Sequence, residues 1–264
     1  MPTPTSRAWF LTRATALVAA LIVGSSACGM GIEAKENWTK TYTVSAGATL
    51  DVRETNGRVR VEAIDGDKVE VSATRISRAP TEEAAKADLK EYTIKETVSA
   101  SRVELASSGS DIELLAMGRS RTVHYDIKVP RSMSVTIKTT NGQVDVVGIT
   151  GKLRVEATNG EIEGSNLGAG AVVSSTNGRI RLAFDDIGED GVRCSTVNGQ
   201  IIVTVPTATK ATIAARVTNG VIRTENLPVK SSDESRRRLD ATIGGGGPDI
   251  HLETTNGEIR VVGK

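Results

Sequence analysis

The dipeptide Asn-Gly occurs seven times in this chain, each time in a matching context. A β-branched aliphatic residue stands two positions after every Gly, and a small or apolar residue stands four positions before every Asn. Agreement at both positions in all seven copies indicates a repeated structural unit. The seven pairs are Asn56-Gly57, Asn141-Gly142, Asn159-Gly160, Asn177-Gly178, Asn198-Gly199, Asn219-Gly220 and Asn256-Gly257.

Asn-Gly is the residue pair that most readily accepts positive φ at two consecutive positions. Around each pair, Thr, Val and Ile alternate with Arg, Glu and Gln, which is typical of strands with one buried face. Each repeated unit, called a cassette below, is therefore predicted to consist of a strand, a tight turn at Asn-Gly and a second strand. All fourteen Asn and Gly residues are predicted to be structural turn residues.

The spacing of the cassettes is compatible with two architectures. Consecutive pairs between Asn141 and Asn219 are 18 to 21 residues apart, and a second turn signal lies midway in each interval. A β-meander of hairpins would have such a period, and so would a β-solenoid in which each period is one coil. In a solenoid, coils that stack need the same residue types at the same positions of each coil. A meander of hairpins does not need its turns to carry identical residues at a constant spacing. The pattern therefore favours an all-β, single-domain β-solenoid, a β-helix-like stack of short strands.

The N-terminus has the features of an export signal. Arg7 and Arg13 flank the start of an apolar run that continues to Gly24, which is too short for a membrane span. Residues 25–28, Ser-Ser-Ala-Cys, resemble the lipobox of bacterial lipoproteins, although Ser25 stands where Leu is usual. We predict a signal peptide at 1–27, lipidation of Cys28, and an exported protein that is lipid-anchored to a membrane of the bacterial cell envelope. The alternative is an ordinary signal peptide with an incidental Cys.

The rest of the chain divides into a tether at 28–37 and one domain at 38–264. An insert at 76–130 separates the first two cassettes, and it is expected to hold a short helix at 82–92 with Thr81 as N-cap. In the interval from Asn219 to Asn256, a charged loop and a four-glycine turn are expected to replace one Asn-Gly pair. The last cassette is predicted to form the terminal coil of the stack.

Catalytic and metal-binding patterns were sought among the His, Cys and Gly residues. His124 and His251 lie far apart in strand-like runs, and Cys194 occupies an apolar position of the repeat. No nucleophile elbow or phosphate-binding loop is present in the sequence. We expect no catalytic residue, no metal and no cofactor. The net charge is +1, without a basic stripe, which disfavours nucleic acid as a partner.

Two groups of carboxylates remain as candidates for chemistry, because some solenoid proteins cleave polysaccharides. Either group is compatible with a calcium site or with a pair of glycosidase carboxylates. Equivalent positions in other cassettes hold Arg58, Arg179, Arg181 and Arg223, which favours ion pairs between coils instead. The carboxylates are Asp145, Glu161 and Glu163 after Asn-Gly pairs, and Asp185, Asp186, Glu189 and Asp190 in one midpoint turn.

The chain resembles the bacterial domains of unknown function known as "putative adhesins". The resemblance rests on the Thr-Asn-Gly-x-Ile/Val repeat, on a Tyr-x-Ile-x-Val-Pro segment at 125–130 after a helix-containing insert, and on the late Gly-rich stretch. It covers roughly residues 40 to 264. The resemblance implies a β-solenoid on an exported or membrane-anchored chain, and it supplies no catalytic residues.

Two classes of function are compatible with these observations, and a purely mechanical spacer role is a third alternative. The first is a non-catalytic envelope lipoprotein that presents a rigid β-face for adhesion, interaction or stress sensing, with an envelope protein or surface polymer as partner. The second is a polysaccharide-acting β-solenoid enzyme that uses surface carboxylates. Carbohydrate grooves normally contain aromatic platforms, and no aromatic residue recurs along the repeat.

Overall fold

The structure, a computed structural model, describes residues 31–107 and 118–264, with the backbone alone at 231–234. The predicted signal peptide and Cys28 lie outside the described residues. The elements are β1 (Ile32–Thr43), β2 (Thr49–Asn56), β3 (Val59–Ile64), β4 (Lys68–Ala79), α1 (Glu82–Glu91), β5 (Ile94–Ser99), β6 (Arg102–Ser107), β7 (Ser120–Pro130), β8 (Ser134–Asn141), β9 (Val144–Val147), β10 (Leu153–Asn159), β11 (Ile162–Leu167), β12 (Ala171–Asn177), β13 (Ile180–Phe184), β14 (Val192–Asn198), β15 (Ile201–Val205), β16 (Ala211–Glu225), β17 (Val229–Ser235), β18 (Arg238–Ile243) and β19 (Asp249–Gly263).

Equivalent strands of successive cassettes lie beside one another in parallel register. Val155 of β10 pairs with Val173 of β12, and Asn159 pairs with Asn177. The strands after the Asn-Gly pairs form a second parallel series, in which Ile162 pairs with Ile180. The predicted all-β solenoid is therefore confirmed and the β-meander is wrong, because hairpins would have placed neighbouring strands antiparallel.

The core lies between the two series of strands and consists mainly of stacked aliphatic side chains. Val155, Val173, Cys194 and Leu252 occupy one column, and each is at most 1% exposed. Burying a Val or Leu side chain contributes about 1.5 to 3 kcal/mol to stability. One column thus adds several kcal/mol and fixes the register between coils, since a one-residue slip would turn it toward solvent.

The order of coils along the stack differs from their order in the sequence. The last cassette was expected to be terminal, but β19 lies between β14 and β16 and pairs in parallel with both. On its other side, the first half of β16 pairs antiparallel with β18, which in turn pairs with β17. The expected charged loop is therefore a hairpin that covers the edge of β16. The terminal coil is β16, because β18 shields its backbone while β19 enters on the inner side.

The N-terminal end of the stack is an antiparallel extension. β4 pairs with β1 on one side and with β7 on the other, and β7 continues the stack by pairing in parallel with β3. β1 begins at Ile32, so residues 32–37, predicted as tether, are in a strand. The predicted helix is present: Ala84 N–H donates to Thr81 Oγ1 at 3.2 Å, and Ala85 and Leu89 are buried.

Close backbone approach explains the glycine of each Asn-Gly pair. A Cβ atom built on Gly178 would lie 1.8 Å from the carbonyl oxygen of Gly160, and the other six glycines have a carbonyl oxygen at 1.7 to 1.9 Å. The predicted positive φ is wrong at the Asn residues, since in the described residues positive φ outside Gly occurs only at Asn166 and Asn226. It is confirmed at four of the seven glycines, Gly57, Gly160, Gly220 and Gly257, where φ lies between 141° and 155°. Gly178 itself is not among the positive-φ glycines. The Asn-Gly pair is a coil corner at which successive backbones nearly touch.

Substitution of one corner glycine tests this explanation. We expect Gly178→Ala to lower the free energy of unfolding by about 3 kcal/mol, because the clash is with backbone and cannot be relieved by a side-chain rotation. The control is Gly47→Ala, where φ is +72° but no atom lies within 4 Å of the added Cβ. Backbone strain alone should cost Gly47→Ala about 1 kcal/mol. Urea unfolding followed by circular dichroism measures both, and a larger loss for Gly47→Ala would contradict the close-approach explanation.

Candidate interaction surface

The seven Asn side chains form one continuous hydrogen-bonded ladder on the outside of the corner. Six of the seven Nδ2 groups donate to the Oδ1 of the Asn in the adjacent coil at 2.8 to 2.9 Å, and the Nδ2 of Asn56, at the end of the ladder, donates to the Arg121 carbonyl oxygen at 3.5 Å. Because neighbouring Asn residues satisfy one another, the ladder adds rigidity to the corner. The spatial order is Asn56, Asn141, Asn159, Asn177, Asn198, Asn256 and Asn219.

The outer face that follows the Asn-Gly pairs carries charges that are paired between coils. Arg179 contacts Glu161 at 3.1 Å, and Arg181 contacts Glu163 at 2.6 Å, from one coil to the next. Asp145 accepts a hydrogen bond from the Gln143 side chain at 3.1 Å. The first group of candidate carboxylates thus lies on a solvated, ion-paired face, as the alternation with arginine indicated.

Two carboxylates of the second group, Asp185 and Asp186, border a cavity of about 350 Å³ at the midpoint turn. Asp185 pairs with Lys264 at 2.7 Å, and Asp190 pairs with Lys152 at 2.9 Å. The Asp186 side chain accepts a hydrogen bond from the Gly188 N–H at 3.0 Å. Across residues 31–107 and 118–264, no group of three or more His, Cys, Asp or Glu side chains is placed to hold a metal ion.

The strands that precede the Asn-Gly pairs form a second outer face, and this face carries fewer charges at β12 and β14 than on the neighbouring strand β10. On β12 and β14 the outward side chains are small or uncharged apart from Arg193, and Val172 and Val197 are 42% and 43% exposed. On the flanking strand β10, Arg154 pairs with Glu156 at 2.8 Å. We define the β12–β14 patch as Val172, Ser174, Thr176, Ser195 and Val197.

A shallow groove crosses the outer side of the N-terminal extension and has a volume of about 490 Å³. Its charged rim is paired: Arg60 lies 3.6 Å from Glu62, and Lys128 lies 4.0 Å from Glu70. Exposed pairs of this kind contribute little energy and are readily exchanged for contacts to a ligand. The groove spans β1, β3, β4 and β7.

The two histidines and Cys194 have separate environments. His124 Nδ1 accepts a hydrogen bond from the Arg58 N–H at 3.1 Å, and burial together with the Arg58 charge lowers the pKa of His124. His251 lies 4.0 Å from Glu253 on the same strand. Cys194 is fully buried, which raises the pKa of its thiol to about 12 and keeps it protonated and unreactive.

Sequence reasoning missed a buried ionic cluster beneath α1. Asp88 is 2% exposed and accepts hydrogen bonds from Ser77 Oγ at 2.7 Å and from Arg121 Nη2 at 2.6 Å. Burial opposes the charge on Asp88, but the bonds from Arg121 and Ser77 outweigh it and hold the pKa below its usual range. Position 88 lies three residues after buried Ala85, so helical spacing alone could have placed Asp88 on the buried face.

The profile of a family described as Toastrack DUF4097 matches residues 41–262. The chain belongs to this family. No curated protein matches the sequence significantly.

Two of the solved structures that are similar to this Toastrack chain have names that refer to adhesion. One is a "putative cell adhesion protein" from Clostridium sporogenes, with 12% identity, coverage of 86% of this chain and 99% of that chain, and a TM-score of 0.45. Another is a "putative adhesin" from Bacteroides fragilis, with 12% identity, coverage of 85% and 96%, and a TM-score of 0.40. Within the described residues, no helix is long and apolar enough to span a membrane.

Replacing one Asn of the ladder with Ala should lower the stability of the Toastrack domain, and the loss should be larger inside the ladder than at its end. Asn177 donates to Asn159 and accepts from Asn198, whereas Asn219 stands at the end of the ladder and donates to Asn256. We expect Asn177→Ala to cost about 1 kcal/mol and Asn219→Ala about half as much, because each exposed bond contributes modestly. Chemical denaturation of the two variants measures the difference. Equal losses would show that the ladder bonds do not act through both neighbours.

Proposed function

We propose that this Toastrack protein is a non-catalytic lipoprotein of the bacterial cell envelope that binds another envelope protein through the β12–β14 patch. Export and anchoring rest on the signal sequence and the lipobox-like Cys28. The family and the solenoid fold are compatible with this role. The observation that carries the proposal is the patch itself, an area of small side chains and two exposed valines beside Arg193, on a stack whose other outer face carries ion pairs.

The chemistry of the patch favours a protein over a sugar polymer. Ser174 and Ser195 lie opposite each other in the parallel register, between Val172 at one end and Val197 at the other. Such a surface can pack against a second flat protein surface with apolar contacts and a few hydroxyl hydrogen bonds. Sugar recognition would draw on aromatic rings, and the patch is built from Val, Ser and Thr.

The candidate carboxylates favour the non-catalytic interpretation. A glycosidase needs one carboxyl group free to donate a proton and a second free to act as nucleophile or base. Here Glu161, Glu163, Asp185 and Asp190 each contact a cationic side chain at 2.6 to 3.1 Å. Each of these carboxylates is therefore engaged in an ion pair and is not placed as a free member of a catalytic pair.

The proposal can be tested by site-specific photo-crosslinking in intact cells. A photo-reactive amino acid at Ser174 should give one protein adduct of defined mass. The adduct yield should fall at least about tenfold when Val172→Asp and Val197→Asp are introduced together, because two charges must be desolvated at the interface.

The matched control is Val98→Asp, which places the same charge on β5, where Val98 is 38% exposed. This variant should leave the adduct unchanged, and circular dichroism should show the same fold for all variants. An adduct insensitive to the patch substitutions would overturn the proposal. Binding of the purified domain to isolated envelope polysaccharide without any protein adduct would also overturn it, and would revive the polymer-binding alternative.

A further inference from the structure

The Asn219-Gly220 corner differs from the other six because it belongs to the terminal coil. Asn219 donates to Asn256 Oδ1 at 2.9 Å, and no further Asn follows it in the ladder. Its carboxamide is therefore held by one ladder neighbour, whereas an inner carboxamide is held by two. The backbone differs as well, because Gly220 is exposed while the six other corner glycines are half-buried.

A backbone hydrogen bond closes the inner corners. The Gly N–H of one coil donates to the Asn carbonyl oxygen of the next coil, as Gly178 does to Asn198 at 3.0 Å. This bond holds the amide nitrogen in the ladder, so a reaction at that nitrogen first requires the corner to open locally. The same bond is present at Gly57, Gly142, Gly160 and Gly199.

Gly220 has no next coil to bind. The antiparallel pairing of β18 with β16 covers only the first half of β16 and ends before the corner. In the hairpin turn that follows, the Arg236 carbonyl accepts from the Ile222 N–H. The Arg237 carbonyl accepts from the Val217 N–H, on the other side of the corner. Within residues 31–107 and 118–264, the Asn carbonyl that binds each inner glycine therefore has no counterpart at Gly220.

We propose that Asn219 is a site of spontaneous deamidation, and that the stack protects the other six Asn-Gly pairs from the same reaction. Asn followed by Gly is especially prone to this reaction, because glycine has no side chain to obstruct its own backbone nitrogen. The Gly220 nitrogen, deprotonated by hydroxide, attacks Cγ of Asn219. The new N–Cγ bond closes a succinimide ring and the Cγ–Nδ2 bond breaks. Nδ2 leaves as ammonia with a proton from water, which regenerates the hydroxide.

Hydrolysis of the succinimide gives either of two products and consumes one water molecule. Cleavage of the new N–Cγ bond leaves aspartate at position 219, and cleavage of the original peptide bond leaves isoaspartate. Both products replace the Nδ2 donor to Asn256 with a carboxylate or a backbone group, so the last ladder bond is lost. Isoaspartate also lengthens the backbone by one carbon, which shifts 220–225 out of register with 257–262 on β19. The reaction is independent of the partner proposed above.

Peptide mapping by mass spectrometry tests the proposal on the full chain incubated in mildly alkaline buffer. Deamidation should accumulate at Asn219 at least about tenfold faster than at Asn177 or any other corner, because the inner sites must first break corner and ladder hydrogen bonds. Isoaspartate at position 219, measured by enzymatic methyl transfer, should appear in the same samples. Equal rates at all seven corners, or a faster reaction at an inner corner, would overturn the proposal.

Two controls isolate the contribution of the fold. In urea, which removes the fold and keeps the dipeptides, all seven sites should react at comparable rates, and a persistent preference for Asn219 would overturn the structural explanation. The matched variant is Asn219→Gln, whose longer side chain closes the corresponding ring far more slowly. Asn256 should stay slow in this variant, because Gly257 remains inside the stack beside Gly220. Rapid reaction at Asn256 would overturn the assignment of the reactivity to the Gly220 corner.

Discussion

The close approach of glycine backbones at the coil corner is the constraint on which the rest of the structure depends. Parallel strands lie about 4.8 Å apart, and at the corner each carbonyl oxygen points at the glycine of the next coil. Any side chain there would push two coils apart. With glycine in place, the amide hydrogen bond from Gly160 N to Asn177 O, and its equivalents, continue the ladder through the corner. The Asn amides can then stack outside it, and the aliphatic columns can stack inside it.

Regular stacking also determines what the surface of the molecule can do. Because equivalent positions line up along the stack, a residue type that recurs in the repeat becomes a column, and a departure from the repeat becomes a local feature. Arg and Glu in alternate coils give a column of ion pairs. At β12 and β14 the repeat instead carries Val, Ser and Thr at most outward positions, with Arg193 beside Val172, and the β12–β14 patch results from this local change in sequence. Function in such a fold depends on departures from the repeat more than on the repeat itself.

The edge strands at the two ends of the stack are covered by different elements. At the C-terminal end, the β17–β18 hairpin covers β16, and β19 completes the coil beneath it. At the N-terminal end, β1 and β4 extend the sheet and α1 covers the projection, where Asp88, Ser77 and Arg121 satisfy one another. A buried ionic cluster is costly unless every charge is paired, which it is here. Removing one partner would leave the others uncompensated.

Local periodicity and capping are enough to predict the repeat, the strand class, which residues are buried and the helix that begins after Thr81. The sequence pattern does not explain why glycine is required at the corner, because the close backbone approach is a contact between residues that lie 18 or more positions apart. It also could not decide the order of the last coils. Cassettes with the same pattern can pair interchangeably, and only the antiparallel pairing of β18 with β16 places β19 inside the stack. The β12–β14 patch and the ionic cluster beneath α1 likewise depend on which strands become neighbours.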